Sequence, residues 1–187
     1  MHILAISPGL GFDAPRWKAV LASGIDAFMI REKQLGARAL LDLARRTQDL
    51  APNLELWVNG RLDVALAAGC GLHAPEDYPE VDPALLALSR PLHAEDQWGA
   101  RQSCAQLLVA PVYPSPGKGA AWGVERLRRF LDRCEEGPRL LALGGVNVGN
   151  AAALRHPRLA GAAMIRGLWE AEDPARAVAE LRAAWGR

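Results

Sequence analysis

The feature that most constrains the fold of this chain is a regular alternation of short apolar runs with longer amphipathic segments. Each apolar run has the length and composition of a strand that is buried on both faces, which is typical of parallel sheets. The pattern predicts eight strands, at residues 3–7, 27–31, 54–58, 71–73, 86–89, 107–112, 140–143 and 162–165. Eight such units favour a compact α/β fold of the (β/α)8 TIM barrel type over an open, doubly wound sheet.

The segments between these strands predict seven helices, at residues 16–22, 37–50, 62–68, 94–102, 124–135, 148–154 and 174–185. Between strands four and five only the short stretch DPALL offers a helix, so we expect a single turn or an irregular connection there. The chain has 187 residues, fewer than the ~250 of a typical barrel. Because no linker or internal repeat divides it, we expect one barrel domain over residues 1–187.

Charge and cysteine content argue against several classes of protein. The 22 basic and 21 acidic residues nearly cancel, which does not favour binding to nucleic acid or to a membrane surface. The three cysteines have no CxxC spacing and the four histidines no zinc spacing, so no cofactor is firmly implied. No stretch approaches the ~20 apolar residues of a membrane span. We therefore expect a cytoplasmic protein, and apolar helix faces leave a homo-oligomer open.

The residues that follow the predicted strands are polar and rich in cations, although the whole chain is nearly neutral. In a barrel the carboxyl ends of all strands meet at one face, where the active site is assembled. This excess of cations predicts a ligand that carries phosphate or diphosphate. The residues concerned are Arg31, Glu32 and Lys33 after strand two, Asn59 after strand three, His73 and Asp77 after strand four, Ser89 and His93 after strand five, Ser115 and Lys118 after strand six, Gly144 and Gly145 after strand seven, and Arg166 after strand eight.

Loops after strands six, seven and eight indicate a phosphate site in particular. The segment LLVAPVYPSPGKG at 107–119 runs from an apolar strand into a loop with one hydroxyl and one lysine. ALGGV at 142–146 and MIRGL at 164–168 follow the two strands after which barrels often bind phosphate. Glycines let backbone N–H groups approach an anion closely. A glycine pair on its own is better explained as a tight turn, so the phosphate hypothesis depends on all three loops together.

Six segments, in register along nearly the whole chain, resemble the thiamine phosphate synthase/TenI superfamily of phosphate-binding barrels. They are GIDAFMIREK at 24–33, WVNGRLDVALAAGCGLHAPED at 57–77, LSRPLHAED at 88–96, VAPVYPSPGKG at 109–119, LALGGV at 141–146 and GAAMIRGLWEAEDP at 161–174. The resemblance implies a part in thiamine biosynthesis. In the synthase, an aminopyrimidine diphosphate loses diphosphate with the help of Mg²⁺ and a thiazole phosphate nitrogen captures the pyrimidine. TenI-like relatives are linked instead to tautomerisation of a thiazole carboxylate phosphate.

The resemblance also implies substrate contacts for ten residues of this chain. They fall into four groups: a diphosphate site, a pyrimidine contact, a phosphate-binding loop and a thiazole-phosphate cradle. Arg31, Lys33 and Asn59 belong to the diphosphate site, and Ser89 is the pyrimidine contact. Ser115 and Lys118 belong to the phosphate-binding loop, and Gly144, Gly145, Ile165 and Arg166 form the thiazole-phosphate cradle.

Two departures from the family pattern bear on the reaction. The synthases have a metal-binding aspartate where this chain has Gly60, which leaves Asp77 as the one matching carboxylate; Mg²⁺ is therefore expected only if the protein is synthase-like. Tautomerisation needs a phosphate site and an acid or base but no metal. However, the histidine that tautomerases carry after strand six is Pro111 here.

The candidate proton carriers are then His93, His73 and Glu32. Both histidines could equally be structural, and Glu32 could orient the two cations that flank it. Our first hypothesis is a TenI-like protein that binds a thiazole phosphate and transfers a proton, as a thiazole tautomerase does. The alternatives are a thiamine phosphate synthase and a non-catalytic barrel that binds thiazole or thiamine phosphate.

Overall fold

Eight parallel strands form a closed barrel in which each strand pairs with the next along the chain and the last pairs with the first. The structure is a computed structural model that describes residues 1–115, 117 and 119–186. The strands are β1 His2–Ile6, β2 Ala27–Ile30, β3 Glu55–Asn59, β4 Gly71–His73, β5 Leu88–Leu92, β6 Gln106–Val109, β7 Arg139–Leu143 and β8 Leu159–Met164. The predicted (β/α)8 barrel is confirmed.

The α-helices cover the outside of the barrel. They are α1 Ala14–Leu21, α2 Ala37–Leu50, α3 Leu62–Ala68, α4 Val124–Arg133, α5 Val148–Ala151, α6 Arg166–Trp169 and α7 Pro174–Gly186. The helix predicted at 94–102 is wrong, because two 3₁₀ turns, Glu95–Gln97 and Gly99–Arg101, occupy that segment. The short helix α6 was not predicted. No helix in the described part of the chain has both the length and the apolar character that a membrane span requires.

The fifth strand lies further along the chain than predicted. Pro91 has no N–H and was expected to follow the strand, yet β5 continues through it and pairs Pro91 with Leu108 and Leu92 with Val109. As a consequence Ser89 lies within β5, paired with His73 on one side and Gln106 on the other, and does not follow the strand.

The barrel interior is filled mainly by apolar side chains, and Trp57 is the largest of them. Its partner on β4 is Gly71, where a Cβ would lie 2.4 Å from the indole ring, so this glycine is what allows the ring to fit. The next residue along β4, Leu72, belongs to the second core, between the barrel and its helices. The buried residues of the interior are Leu4, Ile6, Ala27, Met29, Trp57, Leu108, Leu141 and Ala163.

The connection from β4 to β5 contains turns but no helix, as the sequence predicted. Two nearly buried arginines hydrogen-bond to this region. The Arg90 guanidinium donates to the carbonyl oxygens of Pro79 and Tyr78, at 3.0 and 3.4 Å. Arg101 donates to the Glu76 carboxylate in this connection at 2.7 Å, and to the carbonyl oxygen of Pro91 within β5. Hydrogen bonds from these two side chains therefore hold the β4–β5 connection in place, where other units of the barrel have a packed helix.

Candidate active site

The carboxyl ends of the strands, which we call the mouth of the barrel, bring most of the predicted site residues to one face. Arg31 directly follows β2, Asn59 and His73 are the last residues of β3 and β4, and His93 directly follows β5. At the other side of the mouth, Gly144 follows β7 and Ile165 follows β8. Lys118 lies outside the described residues, so its predicted phosphate contact stays a prediction.

His73 and Ser89 form a buried pair at the inner end of the mouth. His73 Nδ1 lies 2.9 Å from Ser89 Oγ, and both residues are buried. Burial, and to a lesser extent the nearby charges of Arg31, Arg90 and His93, lower the pKa of His73 to about 3. His73 is therefore a neutral ring at neutral pH, with a proton affinity far from that of an efficient general base. The geometry favours a hydrogen-bonding role over a proton-carrying one.

Arg31 and Lys33 are cations without a carboxylate partner among the residues that the structure describes. The backbone N–H of Arg31 donates to Ser7 Oγ at 2.8 Å, which fixes the chain where it leaves β2. Arg31 is half-buried and Lys33 is exposed. Unpaired cations at a barrel mouth are suited to bind an anionic group such as a diphosphate.

Glu32, which lies between these two cations in the sequence, has its carboxylate bound to another loop. It is buried, and its two carboxylate oxygens accept hydrogen bonds from the backbone N–H groups of Gly9, at 3.1 Å, and Gly11, at 2.7 Å. Gln34 Nε2 donates to the second oxygen at 2.8 Å. With both oxygens occupied, Glu32 anchors the loop between β1 and α1, and this arrangement favours a structural role over that of a base.

The glycine pair after β7 is in close contact with the loop after β6. Gly144 and Gly145 have φ of 100° and 70°, which favour glycine. A Cβ on Gly144 would lie 2.9 Å from Pro111 Cβ, and one on Gly145 would lie 2.6 Å from Tyr113 Cβ. The Tyr113 N–H donates to the Gly144 carbonyl oxygen at 3.0 Å. The structure thus brings these two predicted phosphate loops together.

Ser115 and Arg166 lie around the same glycines. Ser115 Oγ is 3.3 Å from the place that a Gly144 Cβ would occupy, and it donates to the Tyr113 carbonyl oxygen at 3.2 Å. Arg166 begins α6, directly after Ile165, and is exposed. A Cβ on Gly167 would lie 2.6 Å from Met164 Cε and 4.0 Å from the carbonyl oxygen of Val146, so α6 begins beside the glycine loop. We call Gly144, Gly145, Ile165 and Arg166 the phosphate cradle.

His93 is half exposed on the rim, where its ring has two oxygen neighbours. Nδ1 lies 2.6 Å from the carbonyl oxygen of Ala110, and Nε2 lies 3.8 Å from Glu76 Oε2. The Glu76 carboxylate in turn accepts a hydrogen bond from Arg101 at 2.7 Å. Glu76 follows the fourth predicted strand and was expected at this face, whereas sequence reasoning missed Arg101, because only the folded chain places the β5–β6 connection against the loop after β4.

The residues at the mouth do not fit the magnesium site that the family resemblance implies. Gly60 has no side chain to offer, and Asp77 is exposed in the loop after β4. Within the described residues, no group of three or more His, Cys, Asp or Glu side chains is placed to hold a metal ion. A hard dication prefers several oxygen ligands, and of the two metal-binding aspartates of the family pattern only Asp77 has a counterpart in this sequence. We therefore derive no step through a metal.

Comparison with known proteins identifies the family. Residues 13–168 match the model of the family described as "Thiamine monophosphate synthase". The chain belongs to this family. It is 31% identical over 173 residues to the thiamine-phosphate synthase of Archaeoglobus fulgidus, covering 86% of this chain and 81% of that protein. It is 33% identical over 180 residues to the thiamine-phosphate synthase of Albidiferax ferrireducens, covering 88% and 80%.

The barrel also matches a solved structure of the thiamine phosphate pyrophosphorylase from Pyrococcus furiosus, with a TM-score of 0.86 and 21% identity. The match covers 99% of this chain and 95% of that one, and it supports the fold. The two relatives from Archaeoglobus fulgidus and Albidiferax ferrireducens carry the synthase name, so they favour our alternative hypothesis over the TenI-like one. They do not distinguish the TenI-like branch within the superfamily.

Proposed function

We propose that this protein is a thiamine-phosphate synthase, which joins hydroxymethylpyrimidine diphosphate to a thiazole phosphate. The observation that carries the proposal is a mouth with two separate sets of groups suited to anions. One set, Arg31 and Lys33, follows β2. The other is the phosphate cradle with Ser115, on the loops after β6, β7 and β8. Two anion sites around one mouth suit a reaction between two phosphorylated substrates.

In this proposal the two sites have different tasks. Arg31 and Lys33 bind the diphosphate and stabilise the negative charge that it gains as the carbon–oxygen bond to the pyrimidine breaks. The cradle binds the phosphate of the thiazole and so places the thiazole nitrogen for attack. Its electron pair forms the new carbon–nitrogen bond. Binding both partners at one mouth converts an encounter in solution into a reaction between oriented neighbours.

The proposal is tested by incubating the purified protein with both substrates and Mg²⁺ and measuring thiamine phosphate and released diphosphate. Arg31→Gln should raise the KM for the diphosphate substrate about 10- to 100-fold, which corresponds to the ~1.5–3 kcal/mol of a hydrogen bond to a charged group. Affinity for the thiazole phosphate should not change. Arg38→Gln is the matched control, because the Arg38 side chain on α2 is 90% exposed and forms an ion pair with Asp42. Absence of product would contradict the proposal.

Thiazole tautomerisation is a second candidate, and the missing carboxylate at Gly60 favours it. A proton transfer on a bound thiazole phosphate needs no diphosphate site and no metal. The rim residue His93 contacts Ala110, the neighbour of Pro111, which stands where tautomerases carry their histidine. Isomerisation of a thiazole carboxylate phosphate without synthase activity would select this function. Tight thiazole phosphate binding with neither reaction would instead select a non-catalytic binding protein.

A further inference from the structure

Hydrogen bonding at the rim fixes the tautomer of His93. A carbonyl oxygen only accepts hydrogen bonds, so the 2.6 Å contact with Ala110 requires a proton on Nδ1. The neutral ring then has its lone pair on Nε2. About half of the side chain is exposed, at 47%, so Nε2 can be reached from the mouth. One defined nitrogen is therefore available to a ligand.

Glu76 is the carboxylate that faces this nitrogen. The 3.8 Å between Nε2 and Oε2 is too long for a hydrogen bond, yet short enough for the carboxylate to stabilise a positive charge on the ring. The hydrogen bond from Arg101 holds the pKa of Glu76 below its usual range, so the carboxylate is ionised at neutral pH. A ligand atom at Nε2 can therefore exchange a proton with His93 beside a fixed negative charge.

The surroundings of Glu76 leave its carboxylate little freedom. Arg101 Nη2 donates to Oε1 at 2.7 Å, and Gln97 Nε2 donates to the same oxygen at 2.9 Å. Gln97 Oε1 accepts from the backbone N–H of His93 at 2.8 Å, which closes the network on the histidine itself. The Arg101 side chain is 11% exposed and also binds the Pro91 carbonyl oxygen. A buried, multiply bonded arginine is a rigid support for the exposed pair.

This network is close to the phosphate cradle. Ala110, which accepts from His93, is followed by Pro111, and Pro111 is the residue in contact with Gly144. The residue that His93 contacts is therefore the chain neighbour of the residue that contacts the glycine pair, so His93 borders the predicted phosphate site. Neither Glu32 nor His73 competes for this role, since Glu32 has both oxygens bonded and the His73 ring is buried.

We propose that Glu76, supported by Arg101, is a positioning residue that orients His93 to transfer a proton on the ring of a substrate anchored by its phosphate. His93 Nε2 takes a proton from a carbon of the thiazole, and the electron pair of the broken C–H bond moves into the ring π system. The imidazolium then returns the proton to another atom of that π system, so the product is an isomer and no co-reactant is needed. The inference rests on the second candidate function, thiazole tautomerisation, and on the thiazole phosphate binding that both candidate functions share.

The kinetic test compares three variants with the wild-type protein in the isomerisation of a thiazole carboxylate phosphate, followed by NMR in D₂O. Glu76→Gln keeps an oxygen for Arg101 but removes the charge, and it should lower kcat about 10- to 100-fold while KM changes little. Glu76→Asp should restore part of kcat. Glu80→Gln is the control, because Glu80 lies in the same connection with its side chain 96% exposed. Absence of isomerisation by the wild-type protein would overturn the inference. An unchanged kcat in Glu76→Gln, with an unchanged melting temperature, would overturn the positioning role.

A second test needs no turnover. Diethyl pyrocarbonate modifies accessible, unprotonated histidine nitrogens, and peptide mass mapping reports each histidine separately. We expect His93 to be modified in the free protein and protected by a thiazole phosphate that calorimetry shows to be bound. Bound ligand without protection would overturn the role of His93 and leave the proposed synthase site standing. Absence of any binding would overturn the proposed function, and this inference with it.

Discussion

The glycine pair after β7 offers a quantitative test of the phosphate cradle. Gly145 has φ of 70°, and a Cβ there would lie 2.6 Å from Tyr113 Cβ and 3.4 Å from the Pro114 carbonyl oxygen. Gly145→Ala therefore combines a backbone penalty of about 1–2 kcal/mol with an overpacking penalty of about 1–3 kcal/mol. Gly69 is the matched control: its φ is 63°, but nothing lies within 4 Å of a Cβ, so Gly69→Ala carries only the backbone penalty.

Thermal unfolding and calorimetry with thiazole phosphate test this reasoning. With roughly 2–4 °C of melting temperature per kcal/mol in a domain of this size, Gly69→Ala should lower the melting temperature by about 2–8 °C and Gly145→Ala by about 4–20 °C. Gly145→Ala should also weaken thiazole phosphate binding, whereas Gly69→Ala should not. If both variants lose the same stability, the close contact between the β6 and β7 loops is refuted. If both keep wild-type affinity, the glycine pair is not part of the phosphate site.

Three further substitutions test other parts of the mouth. Glu32→Gln should lower the free energy of unfolding by about 1–3 kcal/mol, because one loop N–H loses its acceptor, and should speed proteolysis within residues 7–12; unchanged cleavage would refute the anchoring role. The pKa of His73 is about 3 in the folded protein and near 6.5 when unfolded, so the unfolded chain binds more protons between these values. The free energy of unfolding should therefore fall from pH 6.5 towards 3, by up to roughly 1 kcal/mol per pH unit. Urea unfolding measured at several pH values should show that this free energy depends less on pH in His73→Gln than in the wild type. Gly60→Asp places a second carboxylate at a position with φ of 69°, where the nearest atom, on Pro75, is 3.7 Å from a Cβ, so calorimetry should detect tighter Mn²⁺ binding than in the wild type; no gain in binding would show that Asp77 is not a metal ligand.

The barrel was predictable because strands covered on both faces carry an apolar signature that does not depend on knowing their partners. The predicted strand at 71–73 coincides with β4, and the predicted 27–31 exceeds β2 by one residue. For the segment at 94–102, by contrast, the sequence pattern predicted a helix that the structure does not contain. Its residues have an amphipathic pattern, but Gln97 and Arg101 use their side chains to bind the β4 and β5 segments, and the backbone forms two 3₁₀ turns. The pattern of polar and apolar residues does not show which groups the Gln97 and Arg101 side chains bind.

The site was predictable only where position along the chain determines position in space. Arg31, Gly144 and Arg166 could be placed at the mouth because they follow predicted strands. What side chains do there depends on contacts between distant segments. Glu32 follows a strand as Arg31 does, yet its carboxylate binds two backbone N–H groups of another loop. Ser89 was misplaced because a proline two residues later concealed the continuation of β5.

The helix-free connection between β4 and β5 makes the rim around His93 depend on the geometry of guanidinium groups outside the mouth. Arg90 and Arg101 each reach several acceptors through the planar fork of their side chains, including main-chain carbonyl oxygens. A lysine has the same charge but not the fork, so it cannot reproduce these simultaneous bonds. An exchange that most protein surfaces tolerate would here loosen the support of Glu76 and, through it, of His93. Any redesign of substrate preference at this rim has to keep both arginines as part of the design.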